Sequence, residues 1–186
     1  DLERLYGEIG RRFGRLDILC NNAGIMDYMQ GVGELDDEVW KRVLGVNLYG
    51  PMYSMRRAMP ELQRAQGCIV NVGSTASKHG AAAGAAYTAS KHGLLGLSQN
   101  TAWMYAKNGV RCNLIAPGAT ATHISDSMPQ DKLDAVGAAR TGEFAALIPA
   151  VLDASDIADL ALFLASDESR RINGAVIAAD GGWDAV

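Results

Sequence analysis

Four short apolar runs rich in β-branched residues recur along the chain: DILCNNAG (17–24), GCIVNVGS (67–74), GVRCNLIAPG (109–118) and INGAVIAADGG (172–182). Each is separated from the next by a stretch long enough for a helix. Such short apolar runs, without polar alternation, belong to strands buried on both faces. Strands so far apart cannot close tight hairpins, so they pair in parallel through helical crossovers. The expected fold is therefore α/β, a three-layer doubly wound parallel sheet with helices on both faces. Open sheets of this kind bind ligands outside the carboxyl ends of their strands. Asn22, Ser74 and the Pro117-Gly118 turn all fall at that edge.

The intervening segments carry helical signals. Leu2, Leu5, Ile9 and Phe13 stand at helical spacing before Gly14, a helix stop, so the sequence opens inside a helix. Asp36 is the expected N-cap of one long helix reaching about Ala65. A further helix spans 85–107, and Ser155 is the expected cap of the amphipathic run SDIADLALFLAS. Residues 120–153 read as an irregular stretch with short helical pieces. At 186 residues, 48% hydrophobic and 20% charged, the chain can bury one substantial core. A net charge of −4 offers no basic footprint for nucleic acid or an anionic membrane surface, and no apolar stretch is long enough to span a bilayer. Cys20, Cys68 and Cys112, without CxxC spacing, read as buried, reduced thiols of a cytoplasmic protein. His79, His92 and His123 lack metal-ligand spacing, so no metal is expected. HGAAAGAA has two glycines but no third and opens no helix after a strand, so it is no dinucleotide loop.

Tyr87 and Lys91 stand four residues apart on the 85–107 helix and therefore project from one face. Alone, that pair would read as a surface tyrosine beside a solvated lysine. Asn47 precedes Pro51 by four residues; the proline has no N–H, so the carbonyl of residue 47 loses its helical partner and a kink is expected.

Six motifs stand in order: NNAG (21–24), VNLYG (46–50), NVGSTAS (71–77), YTASK (87–91), NLIAPG (113–118) and ADGG (179–182). In order and spacing the chain resembles the short-chain dehydrogenase/reductase family over nearly all its length. The resemblance implies a Rossmann-type sheet and an NAD- or NADP-dependent interconversion of a secondary alcohol and a ketone by hydride transfer. Tyr87 would be the general acid/base. Bringing a tyrosine from its usual pKa of about 10 to near neutrality takes roughly 4 kcal/mol, of which the Lys91 cation one turn away would supply part. Ser74 would donate to the substrate oxygen, although a cap is its bland alternative, as for Ser77. The freed carbonyl of Asn47 would hold a water in a proton relay to Lys91; the plainer alternative is a kink alone. Asn22, Ala23 and Gly24 would lie along the cofactor, with Tyr87 and Lys91 on the nicotinamide ribose. Pro117 and Gly118 would also lie along the cofactor, and just after them the Thr120 backbone and the Thr122 side chain would meet its carboxamide.

Relatives also carry a TGxxxGxG turn after their first strand and a residue selecting NAD or NADP. Neither is in this sequence. The resemblance thus implies a single partial domain over 1–186, the catalytic half, with the first three strands absent and the cofactor choice undecided. A non-catalytic fragment that only binds or assembles is the rival from another class. Among enzymes, the enoyl reductase type has a longer Tyr–Lys spacing and halohydrin-lyase relatives replace the lysine with arginine. A 3-oxoacyl-carrier-protein reductase is the remaining enzyme alternative; its frequent PLGR reads PAVL here (149–152). Met128, Phe144, Leu147 and Ile148 in the expected substrate lid suit a small apolar alcohol or ketone. The helices at 36–65 and 85–107 would build a homodimer or homotetramer face.

Overall fold

The computed structural model describes residues 2–185. In chain order the strands are β1 (Ile18–Asn21), β2 (Cys68–Val72), β3 (Arg111–Pro117), β4 (Thr120–Ala121), β5 (Leu152–Asp153) and β6 (Val176–Ala179). The helices are α1 (Leu2–Phe13), α2 (Asp37–Leu44), α3 (Gly50–Ala65), α4 (Ala85–Tyr105), α5 (Ala135–Ala145) and α6 (Ala154–Ala165). The four apolar runs form one parallel sheet in the order β1-β2-β3-β6, as the crossover argument requires. Alternate strand residues face opposite layers. Ile69 and Cys112 pack with Tyr6 of α1 and with Met55, Met59 and Leu62 of α3. Val70 and Ile115 pack with Leu164 of α6 on the other side. Leu62, Ile69, Leu114 and Leu164 are wholly buried, and each contributes about 1.5–3 kcal/mol relative to exposure. The fold is the α/β doubly wound arrangement, with helices on both faces.

Several local expectations are corrected. The single helix expected from Asp36 is three pieces: α2, a π-helical turn over Gly45–Tyr49, and α3. Pro51 cannot donate to the carbonyl four residues back, and the ladder widens: the Gly50 N–H bonds Gly45 O, five residues back. Asp36 does cap α2, accepting the Glu38 N–H at 2.6 Å. In α1 Leu2 and Ile9 of the expected stripe pack against the core, but Leu5 and Phe13 are exposed and the fully buried residue is Tyr6. Tyr6 prevails because its hydroxyl reaches Ser54 of α3 at 2.7 Å while its ring fills the core. The helix α6 is capped by Asp153 rather than Ser155, through a reciprocal pair with Asp156. Cys20 is exposed, unlike Cys68 and Cys112, because it shares with Ile18 the uncovered face of the edge strand β1. The 120–153 stretch is more ordered than expected: it holds α5, and its ends pair as β4 and β5.

Among the described residues no helix is long and apolar enough to cross a membrane, and no cluster of His, Cys, Asp and Glu could hold a metal ion.

Candidate active site

Ser74 lies just past the carboxyl end of β2, where the chain turns into a short 3₁₀ helix, Thr75–Ser77. Its Oγ accepts the Ala76 N–H at 3.1 Å, and Ser77 Oγ accepts the Ser74 N–H at 3.1 Å. Ser74 is thus a cap, but capping uses only a lone pair. Its proton stays available to an oxygen in front of it.

Tyr87 sits in the first turn of α4 and is 5% exposed. Burial pushes its pKa up to about 12; the facing Ser74 hydroxyl pulls it down in part, and Asp27 adds to the rise. One turn on, the Lys91 ammonium lies 5.6 Å from the Tyr87 ring centroid and donates to Val72 O at 2.9 Å. Burial lowers its pKa to about 8. Desolvation is thus the largest influence on both groups, and it disfavours the charged form of each.

Asn47 is wholly buried in the π turn. Its side chain accepts the Ile25 N–H at 2.9 Å and donates to Ile25 O at 2.9 Å and Ser90 Oγ at 3.1 Å. The carboxamide therefore grips the loop after β1, which leaves the backbone carbonyl as the part of Asn47 open to a relay. That grip draws Gly24 over the lysine: a Cβ there would stand 3.4 Å from Lys91 Nζ and 3.6 Å from Asn47 Oδ1. Both are ordinary contact distances, so the Gly24 backbone lies directly against the ammonium and the carboxamide.

The other expected contacts lie around this centre. Asn22 and Ala23 are exposed at the open end of β1. Pro117 O accepts Thr75 Oγ1 at 3.2 Å, tying the third strand end to the Ser74 turn. Gly118 packs so tightly on Asp180 that a Cβ would come within 2.7 Å of the aspartate Cβ. Thr120 Oγ1 donates to Gly118 O at 3.1 Å, and the exposed Thr122 caps its own turn, accepting the Ile124 N–H at 3.4 Å. Neither hydroxyl bonds to Ser74, Tyr87 or Lys91. The structure thus brings Asn47, Ser74, Tyr87, Lys91 and Gly24 together and leaves Thr120 and Thr122 at the rim. A cavity of about 440 Å³ opens beside the start of α4, lined by Met29, Gln30, Ala83, Gly84, Val136 and Arg140 among others.

Two features were not foreseen. Asn21 Nδ2 donates to Asn71 Oδ1 at 2.8 Å, and Asn71 Nδ2 to Ser98 Oγ at 2.8 Å, so the first asparagine of NNAG braces the strands. Asp27, three residues past NNAG, is a wholly buried acid that accepts the Tyr87 N–H at 2.8 Å. A single aspartate in a loop carries no periodic or motif signal that would mark it.

Comparison with known proteins finds relatives in both sequence and fold. A family model described as enoyl-(acyl carrier protein) reductase matches residues 1–184. A short chain dehydrogenase, adrF of Penicillium rubens, is 44% identical over 197 residues, covering 95% of this chain and 72% of its own. The 3beta-hydroxysteroid dehydrogenase 2 of Eggerthella lenta is 41% identical over 187 residues, covering 100% of this chain and 71% of its own. The chain belongs to the short-chain dehydrogenase/reductase family. Among solved structures of that family, levodione reductase superposes with a TM-score of 0.87 at 30% identity, over 100% of this chain and 73% of that one. A short chain dehydrogenase from Mycobacterium paratuberculosis bound to NAD gives 0.88 at 27% identity, over 100% and 70%. An Agrobacterium tumefaciens relative with bound NADP gives 0.78 at 34%, over 92% and 68%. The doubly wound sheet is the Rossmann-type fold of these oxidoreductases.

Proposed function

We propose that this protein interconverts a secondary alcohol and a ketone by hydride transfer with NAD or NADP, using Tyr87 as general acid/base with Ser74, Lys91 and Asn47. The observation that carries the reading is the buried Tyr87–Lys91 pair beside Ser74 at the carboxyl ends of the strands. A lysine 2% exposed, with its pKa lowered by desolvation, costs folding free energy. A module that only binds or assembles has no use for that cost, whereas an acid/base site does.

The residues fit the nicotinamide–ribose end of such a cofactor. The Lys91 ammonium has three donors, and Val72 O is its one hydrogen-bond partner among the described residues. Vicinal ribose hydroxyls are the acceptors it lacks, and the Gly24 backbone leaves room for them. Bound there, the nicotinamide ring supplies or accepts the hydride. In the oxidative direction Tyr87 removes the substrate hydroxyl proton, and in the reductive direction it returns it. Ser74 donates to the same substrate oxygen, and Lys91 steadies the tyrosinate. The Asn47 carbonyl, which has no proline N–H to accept, is the outlet for protons toward solvent through a water.

Tyr87 and Lys91 have the four-residue spacing of the dehydrogenases, which favours CH–OH chemistry over the enoyl reduction in the family model's description. The substrate would be small and apolar, matching Met29, Ala83 and Val136 in the neighbouring cavity. The steroid dehydrogenase and levodione reductase likenesses support a cyclic alcohol or ketone. The test is a panel of secondary alcohols, a 3β-hydroxysteroid among them, with NAD+ and NADP+, followed by absorbance of the reduced nicotinamide. Turnover of one member should fall at least about 100-fold in Tyr87→Phe. Full turnover in that variant removes Tyr87 from the chemistry.

The same reading places a homodimer across α4 and the stretch formed by the π turn and α3, where Tyr49, Tyr53, Trp103 and Met104 are exposed. Exposed aromatic clusters of this kind mark interfaces. Trp103→Glu should shift the sedimentation of a dimer toward monomer; a wild-type protein that sediments as a monomer at all concentrations speaks against the interface.

A further inference from the structure

The helix that carries Tyr87 starts without a cap of its own: the N-cap position is Gly84, which has no side chain. Its first-turn N–H groups need acceptors, as at any helix start. Asp27, from the loop after β1 and sixty positions away, fills the role. One carboxylate oxygen accepts the Tyr87 N–H at 2.8 Å and the other accepts the Met29 N–H at 3.0 Å. The aspartate is wholly buried, and both oxygens are in use. Gly84 leaves the space for it, because a Cβ there would stand 2.6 Å from each oxygen.

The loop that presents Asp27 is held on every side. Asn47 grips Ile25 at both its N–H and its carbonyl. The Met26 N–H donates to Ser127 Oγ at 2.8 Å, and Arg42 donates to Met26 O at 3.1 Å. Met29 takes a left-handed backbone at φ 60, a conformation unfavourable for a side-chain-bearing residue. The Ala85 N–H, next to the cap, donates to Gln30 O at 2.9 Å. Strain is accepted in this loop so that the carboxylate arrives at the backbone of Tyr87.

We propose that Asp27 is a positioning residue for the reaction: its carboxylate fixes the first turn of α4, and so the Tyr87 hydroxyl, against Ser74, and it links the Asn47 turn to the tyrosine through one loop. This rests on the reading of Tyr87 as the acid/base. The charged and titratable groups bearing on Tyr87 among the described residues are Lys91 on its own helix, Asp27 from the β1 loop and the Ser74 hydroxyl from the end of β2. A carboxylate is needed and an amide does not replace it. Asparagine has a single oxygen, so its NH₂ would confront one of the two backbone N–H groups.

Two variants test this by different routes. Asp27→Asn removes the charge and one acceptor. Gly84→Ala retains every charge and drives a methyl group into the carboxylate. Both are compared with Tyr87→Phe for kcat, KM and melting temperature in the secondary-alcohol assay. Tyr87 ionisation is read separately, as the ultraviolet titration difference between each protein and its Tyr87→Phe counterpart. The expected result is a fall in kcat of about 10- to 100-fold in both variants, with KM changed less than about threefold. In Asp27→Asn the Tyr87 ionisation should also move to lower pH, because a negative charge beside it is gone; a purely structural cap would lower the melting temperature and leave that titration in place. If Tyr87→Phe abolishes turnover while both variants keep wild-type kcat and an unmoved tyrosine titration, the positioning role is overturned. If one variant does not fold, the other decides by the same criteria. Should Tyr87→Phe retain turnover, the catalytic reading fails, and an unmoved titration in Asp27→Asn would overturn the coupling of Asp27 to Tyr87 as well.

Discussion

Lys91 shows how far a single side chain can set function against stability. Its pKa is about 8 in the fold against an ordinary 10.5, because burial disfavours the cation. The unfolded chain therefore binds more protons than the native one between those values, and native stability rises with pH across that window. Below about pH 8 the lysine destabilises the fold by roughly 3 kcal/mol, offset by about 1 kcal/mol from its bond to Val72 O. Tyr87 acts in the opposite sense at higher pH: its pKa of about 12 means its contribution is present below pH 10 and lost as pH rises toward 12. We predict that Lys91→Met, inactive in turnover, melts about 2–6 °C higher than the wild type at pH 7. The advantage should shrink as pH approaches 10. Melting curves at the two pH values check this; a variant equally less stable at both would mean that the ammonium is a net stabiliser. Four-residue spacing on a helix is a local property and puts Tyr87 and Lys91 on one face, but by itself it reads as a surface pair; the six ordered motifs single it out. Asp27 was not legible, since its partner is a backbone N–H sixty positions away.

At the scale of elements, the sequence is most readable where one local rule acts without competition. The four strands, the Asp36 cap and the Gly14 stop, at φ 68, follow from apolar runs and from capping or left-handed chemistry. Between Asp36 and Ala65 two rules compete. The apolar pattern asks for one helix, and Pro51 forbids one of its hydrogen bonds. A kink was foreseeable from the proline, but not its form, because the choice of a π turn depends on packing around Asn47 and on the loop it grips. The same limit applies to α1, where Tyr6 joins Leu2 and Ile9 against the core through a hydroxyl bond to α3 while Leu5 and Phe13 stay exposed, and to β4 and β5, two-residue strands too short to carry a pattern. The π turn has a direct consequence for the site. It places the one asparagine side chain that can clamp Ile25 and leaves its carbonyl without a proline donor.

The whole molecule adds a closure that no local stretch announces. The segment after β6 returns across the end of the sheet to the turn that follows Ser74. Asp184 pairs with Lys78 and, at 2.6 Å, with His79 Nε2. His79 faces Phe144 at 5.5 Å, Phe144 stacks on Trp183 at 4.8 Å, and the Trp183 indole donates to Phe144 O at 3.2 Å. The helix α5, the Ser74 loop and the C-terminal segment are thereby joined in one cluster. No sequence pattern marks this pairing of His79, because its partner lies 105 positions away. Burial pushes the Asp184 carboxyl up, but Lys78 and His79 together outweigh it and hold its pKa below the ordinary carboxylate value. The aspartate's share of the closure is therefore present above the unfolded carboxylate pKa of about 4 and is lost as pH falls below it. We predict that Asp184→Ala lowers the melting temperature at pH 7 by about 2–6 °C, the span of an ordinary partner loss in a chain of this size. Because α5 and the 75–83 loop also border the cavity at the start of α4, the variant should raise KM more than it lowers kcat, and a protease should nick it between residues 78 and 82. The difference in melting temperature should persist down to about pH 4 and narrow only below it, as pH falls through the depressed pKa of the folded carboxylate. An Asp184→Ala protein with wild-type KM and wild-type protease resistance would show that Trp183 and Phe144 hold the closure without the ion pairs.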